Sequence, residues 1–237
     1  MKLLSALLLL LSFSFAQSLH IAAASSLRGP LEEIGKLFSQ KHPDVKLYFS
    51  YGASGNLYRQ ILGGAPYDLF LSASELYTNK LYEKGEAGKP VPFARGRLVI
   101  FSRNLDVRGP EVLRGADRIA MANPRYAPYG VAALEFLKKV GLYEEVRRKL
   151  LQGTNVAQAF QFVVSGGAEV GIVSLSLAVG YGKGSYWVVP EDMHSPIRHV
   201  AVITERGMNN KMAESFLRFL TSPKAGEVLK RYGFGVP

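Results

Sequence analysis

Short apolar runs alternate with amphipathic ones along most of this 237-residue chain, and small residues and hydroxyls stand at the junctions. Ala22-Ala23-Ala24-Ser25-Ser26 closes one apolar run, and Tyr51-Gly52-Ala53-Ser54-Gly55-Asn56 closes the next. A strand that gives way to a helix within a few residues forces a parallel neighbour, because the helix must cross back over the sheet. It also leaves the first N–H groups of each helix without an intrahelical acceptor, at the end where the dipole favours negative charge. Several such turns aimed at one point would cage an anion without a charged side chain.

The periodicity predicts strands at 19–23, 45–50 and 69–72, with helices at 31–40, 57–62 and 76–84 between and after them. This βαβαβ run implies a parallel sheet covered on both faces. Gly88-Lys89-Pro90-Val91-Pro92 reads as a linker. A second α/β set follows, with strands at 97–101, 118–121, 170–173 and 186–189 and helices at 131–140, 143–151 and 156–164. An apolar strand at 199–203 precedes helices at 211–220 and 223–232, the second opening on Ser222 as N-cap and Pro223 at N1. The fold class is α/β in two lobes. The chain is expected to cross near Phe93 and again near Val200, giving a discontinuous first lobe (17–93 plus 201–237) and a second lobe (94–200). One continuous sheet is the alternative.

Residues 1–16 read as a removed signal peptide: Lys2, an apolar run through Leu11, and the small-x-small site Ser14-Phe15-Ala16. The apolar run is shorter than the roughly 20 residues a membrane span needs. The chain has no cysteine, so neither a disulfide framework nor a lipid-modified N-terminal Cys is available. An exported, unanchored protein fits the periplasm. The formal charge is +10, or +9 once Lys2 leaves with the signal. That field draws anions of any kind, but Lys and Arg are scattered rather than interleaved with stacking aromatics, and export argues against nucleic acid.

Five turns are candidates for anion binding: Ser25-Ser26, Ser54-Gly55-Asn56, Pro128-Tyr129-Gly130, Thr154-Asn155-Val156 and Ser174-Leu175-Ser176. Taken singly, each reads as an ordinary helix cap. Taken together, they lie where ligands of open α/β sheets bind, beyond the carboxyl ends of the strands. Other chemistry is poorly supported. Gly52-Ala53-Ser54-Gly55-Asn56 nears a nucleophile elbow but carries Asn56 where Gly is required. Gly180-Tyr181-Gly182-Lys183-Gly184-Ser185 fails the spacing of a phosphate loop. His20, His42, His194 and His199 have no zinc-site spacing.

The blocks Ala22-Ala23-Ala24-Ser25, Ser54 ahead of Leu57-Tyr58-Arg59-Gln60-Ile61, and Gly64-Ala65-Pro66-Tyr67-Asp68-Leu69-Phe70-Leu71-Ser72-Ala73 resemble the periplasmic molybdate-binding proteins of ABC importers. Gly171-Ile172-Val173, Pro190-Glu191-Asp192-Met193-His194 and Lys230-Arg231-Tyr232-Gly233-Phe234 extend the resemblance in order over nearly the whole mature chain. It implies the type II periplasmic-binding-protein fold, each lobe a mostly parallel sheet flanked by helices with the ligand cleft between them.

In that family two serine hydroxyls, backbone N–H groups and commonly a tyrosine hydroxyl hold the oxyanion. Carried over, Ser25 and Ser54 match the serines, and Tyr129 and Val156 match the backbone donors. The tyrosine position corresponds to Ser174, whose shorter reach leaves its contact to be lost, bridged by water or replaced by Tyr129 or Ser176. Ser26 is an alternative to Ser25. The resemblance implies a monomeric, non-enzymatic binding protein. It would take molybdate and tungstate through these residues, with no cofactor and no metal-ion ligands, and would hand the anion to a membrane permease. The alternatives are another tetrahedral oxyanion such as sulfate, an exported serine hydrolase, and an adhesion or scaffolding protein.

Overall fold

The computed structural model describes residues 17–237; the expected signal peptide lies outside the described residues. The first lobe opens with β1 (Gln17–Ala24), α1 (Arg28–Lys41), β2 (Val45–Gly52), α2 (Ser54–Leu62), β3 (Leu69–Ser72), α3 (Glu75–Glu83) and β4 (Val91–Gly96). The second lobe holds β5 (Leu98–Ser102), α4 (Val112–Gly115), β6 (Ile119–Ala122), α5 (Pro128–Lys139), α6 (Tyr143–Val146), β7 (Leu150–Gly153), α7 (Val156–Val164), β8 (Val170–Ser174), α8 (Leu175–Tyr181) and β9 (Ser185–Val188). The chain then returns to the first lobe through β10 (Ile197–Ile203), α9 (Lys211–Leu220) and α10 (Pro223–Arg231).

Each lobe is built on one five-stranded sheet, in the orders β2-β1-β3-β10-β4 and β7-β6-β8-β5-β9. The two orders are equivalent. Three strands pair in parallel at one side, and the fourth strand in the order runs antiparallel to both its neighbours. Four of five strands in each sheet therefore point the same way, so their carboxyl ends share one edge. In the described residues the α/β class and the mostly parallel sheets stand as expected from the sequence.

Three local expectations are corrected. The chain changes sheet between Gly96 and Leu98 and again between Val188 and Ile197, so residues 94–96 and 197–200 join the first sheet rather than the second. The stretch read as a linker runs directly into β4. That strand lies at the sheet edge and tolerates Pro92 opposite Val200, beside an irregularity at His199/Val200. The helix expected at 143–151 stops at Val146, and Leu150–Gly153 pairs with β6 as a parallel edge strand.

Aromatic packing anchors each sheet to its helices. Phe38 of α1 meets Phe216 of α9 edge-on at 5.1 Å between ring centroids, which fixes the C-terminal helices on the first lobe. Phe101 of β5 and Phe160 of α7 lie 4.9 Å apart in the second. Such pairs contribute about 0.5–1.5 kcal/mol beyond their buried area.

Candidate functional site

The carboxyl ends of β1, β2 and β3 face those of β6 and β7 across the interlobe cleft. There the turn Ser25–Leu27 and the first turns of α2, α5 and α7 surround a small cavity. Its lining includes Ala24, Ser25, Ser26, Ala53, Ser54, Ala127, Tyr129 and Val156. Among the described residues, no charged one lines it. A larger groove between α1 and β2 is open to solvent and lined partly by Lys36, Lys46 and the exposed Tyr48.

Ordinary capping does not account for these turns. Alanines occupy the cap positions before the Ser25 turn, α2 and α5 (Ala24, Ala53 and Ala127), and none of the three starts has a side-chain cap. Side-chain caps are present on α3 (Ser74), α9 (Asn210) and α10 (Ser222), while α1, α4, α6 and α8 also start without one. Uncapped N-termini leave N–H groups directed out of the helix toward the cavity. The exception is α7, where Asn155 accepts from Gln158 N–H at 3.0 Å; the capping leaves the N–H of Val156, at the first position, outside that bond.

The serines serve a different purpose from capping. Ser54 Oγ accepts a hydrogen bond from the N–H of Ala73, just past β3, at 2.9 Å. Ser25 Oγ accepts from the N–H of Ala157, in the other lobe, at 3.3 Å. Each hydroxyl thus spends acceptor capacity on backbone and keeps its proton available to donate. Ser26 Oγ lies 3.1 Å from His199 Nε2. His199 is fully buried, and burial pushes its pKa down to about 3, so the ring is neutral.

Ser174 and Ser176 are buried but do not line the cavity. Ser176 Oγ donates to the Ser26 carbonyl at 2.7 Å, so the 3.1 Å contact between the two hydroxyls has Ser174 as donor. Both protons are spent within this chain of bonds, and neither serine has one to offer an anion. Tyr129 does line the cavity. Its side chain reaches from α5 toward the hinge, where the hydroxyl packs on Gly96 and the ring lies 6.2 Å from His199. That hydroxyl is buried beside Ser26, and burial holds it protonated by raising its pKa.

The five residues Ser25, Ser26, Ser54, Tyr129 and Val156 are therefore brought to one cavity from both lobes, and Ser174 and Ser176 are not. Sequence reasoning did not include His199 as a partner of Ser26, nor Ala73 and Ala157 as the donors that orient the two serines. An N–H donor leaves no mark in residue type.

Comparison with known proteins agrees with this architecture. The family model described as bacterial extracellular solute-binding protein matches residues 19–235. The chain belongs to that family. It is similar to the molybdate-binding protein ModA of Azotobacter vinelandii, at 39% identity over 230 residues covering 93% of this chain and 91% of the relative. It is also similar to that of Rhodobacter capsulatus, at 38% identity over 218 residues and 90% and 86% coverage. Among solved structures it resembles the Azotobacter vinelandii periplasmic molybdate-binding protein, with a TM-score of 0.88, 33% identity, and coverage of 92% of this chain and 99% of that one. The sulfate-binding protein SubI of Mycobacterium tuberculosis, at 16% identity and a TM-score of 0.75, shares the fold. The resemblance read from the alanine–serine and Gly-Ala-Pro-Tyr-Asp blocks is borne out, and the family is one of binding proteins rather than enzymes.

Proposed function

We propose that this protein captures molybdate, and tungstate with it, in the periplasm and delivers it to the membrane permease of an ABC importer. The observation that carries the reading is a small cavity between the lobes whose lining offers donors: the hydroxyls of Ser25 and Ser54 and the N–H groups of Tyr129 and Val156. Molybdate and tungstate are fully deprotonated dianions at neutral pH and offer only acceptors. Phosphate carries a proton there and needs an acceptor for it, and Ser54 and Ser25 each already accept one hydrogen bond, from Ala73 and Ala157. The names of the ModA relatives support the same cargo. Sulfate is also acceptor-only, so its exclusion falls to cavity size.

Thermal melting of the mature protein with molybdate, tungstate, sulfate and phosphate in turn tests the proposal. A ligand at about 1,000 times Kd stabilises by roughly 4 kcal/mol, a shift near 10 °C for a domain of this size. Molybdate and tungstate are expected to give that shift and phosphate none. A shift with sulfate alone would keep the cage and change its cargo.

A further inference from the structure

Tyr126, in the loop between β6 and α5, is gripped from the opposite lobe at two points. Its carbonyl accepts the N–H of Gly55, in the first turn of α2, at 2.9 Å. Its ring lies under the Arg59 guanidinium, one helical turn further along α2, with 4.4 Å from the guanidinium carbon to the ring centroid. Arg59 is steadied by the Asn56 Oδ1, which accepts from Nη2 at 2.6 Å, and among the described residues it takes part in no ion pair with a carboxylate. The grip is adjacent to the cavity, because Gly55 follows Ser54 and Tyr126 precedes Ala127.

Gly55 is required by this contact rather than by its backbone conformation. A Cβ there would stand 2.9 Å from the Tyr126 carbonyl oxygen and 2.7 Å from the Tyr77 hydroxyl. Tyr77 belongs to the same lobe and its hydroxyl is the far end of a side chain that can turn aside. The Tyr126 carbonyl is backbone of the other lobe, and it moves away only if the lobes part. A methyl group at position 55 thus acts on the closed arrangement alone, while alanine suits the interior of an isolated α2 better than glycine does.

We propose that Tyr126, held by Gly55 and Arg59, is a clasp that stabilises lobe closure with or without bound anion and sets how long the anion stays. The residence-time part rests on the oxyanion reading above; the closure part does not. The test uses the mature protein with Tyr82→Cys and Val131→Cys introduced for spin labels, both positions being exposed and the chain having no other cysteine. Inter-label distances are measured without ligand, and molybdate release is measured by stopped flow.

Tyr126→Ala removes the ring face and is expected to shift the ligand-free population toward longer distances and to speed release about 2–5-fold. Gly55→Ala is expected to do both more strongly, with release faster by about tenfold or more. Tyr126→Phe keeps the face and is expected to match the wild type. Distances and release rates in Tyr126→Ala and Gly55→Ala equal to those of the wild type would overturn the clasp. If the wild type takes up no molybdate, the oxyanion reading fails, and the ligand-free distances alone decide the clasp.

Discussion

The hydroxyl oxygen of Ser25, in the first lobe, accepts a hydrogen bond from the backbone N–H of Ala157, in the second, at 3.3 Å. Closure and ligand orientation are therefore coupled in one bond. The second lobe supplies the N–H that occupies a Ser25 lone pair, and that leaves the Ser25 proton to the cavity. Ser54 has its orienting donor, Ala73, within its own lobe, so its geometry is set before the lobes meet.

Ser25→Ala and Ser54→Ala are each expected to weaken molybdate binding by about 1.5–3 kcal/mol, the scale of a hydrogen bond to a charged group. Ser54→Ala also strands the buried N–H of Ala73 and is expected to lower stability by about 1–3 kcal/mol, whereas the Ser25 variant loses only an interlobe contact. Calorimetric titration and urea denaturation separate the two effects.

Ser174→Ala is the contrasting case. Its proton goes to Ser176 and it does not line the cavity, so affinity is expected to stay within about 0.5 kcal/mol of wild type. A loss as large as that for Ser54 in the same titration would place Ser174 among the ligands.

Binding and stability are expected to differ in their response to pH. No side chain assigned to the cavity titrates between about pH 6 and 8, so affinity is expected to be nearly flat there. His199 has a folded pKa of about 3 against an ordinary 6.5, so the unfolded chain takes up a proton that the folded protein refuses. Its contribution is intact above about pH 6.5 and is lost as pH falls toward 3, at up to about 1.4 kcal/mol per unit. Urea denaturation at pH 7, 6 and 5 is expected to show a shallower acid loss in His199→Gln than in wild type.

Gly96→Ala tests the packing of the hinge. An added methyl would run into the Tyr129 hydroxyl and come within 2.8 Å of His199 Cε1. Both neighbours are buried and tightly packed, so a cost of about 1–3 kcal/mol in thermal or urea unfolding is expected. Wild-type stability would mean that Tyr129 has room to withdraw.

The sequence made the strand–turn–helix units legible because period and punctuation coincide there. The bounds of β3 and α7 were read to the residue. Both missed strands, β4 and β7, are edge strands. Prolines concealed the first, and the charged run Glu144–Lys149 before the second favours a helix whose charges pair at i,i+3, as Glu144 and Arg147 do. Ser25, Ser54, Tyr129 and Val156 were legible as a set only through resemblance. That Ser174 spends its proton on Ser176, and Ser176 on a carbonyl 150 residues away in sequence, depends on long-range geometry that no local pattern encodes.

Diffraction at the molybdenum absorption edge, from crystals of the mature protein grown with molybdate, bears most directly on the donor cage. One anomalous peak is expected between the lobes, with oxygens within hydrogen-bonding distance of the Ser25 and Ser54 hydroxyls and the N–H groups of Tyr129 and Val156. A peak elsewhere on the protein, or no peak beside a filled cavity, would contradict it.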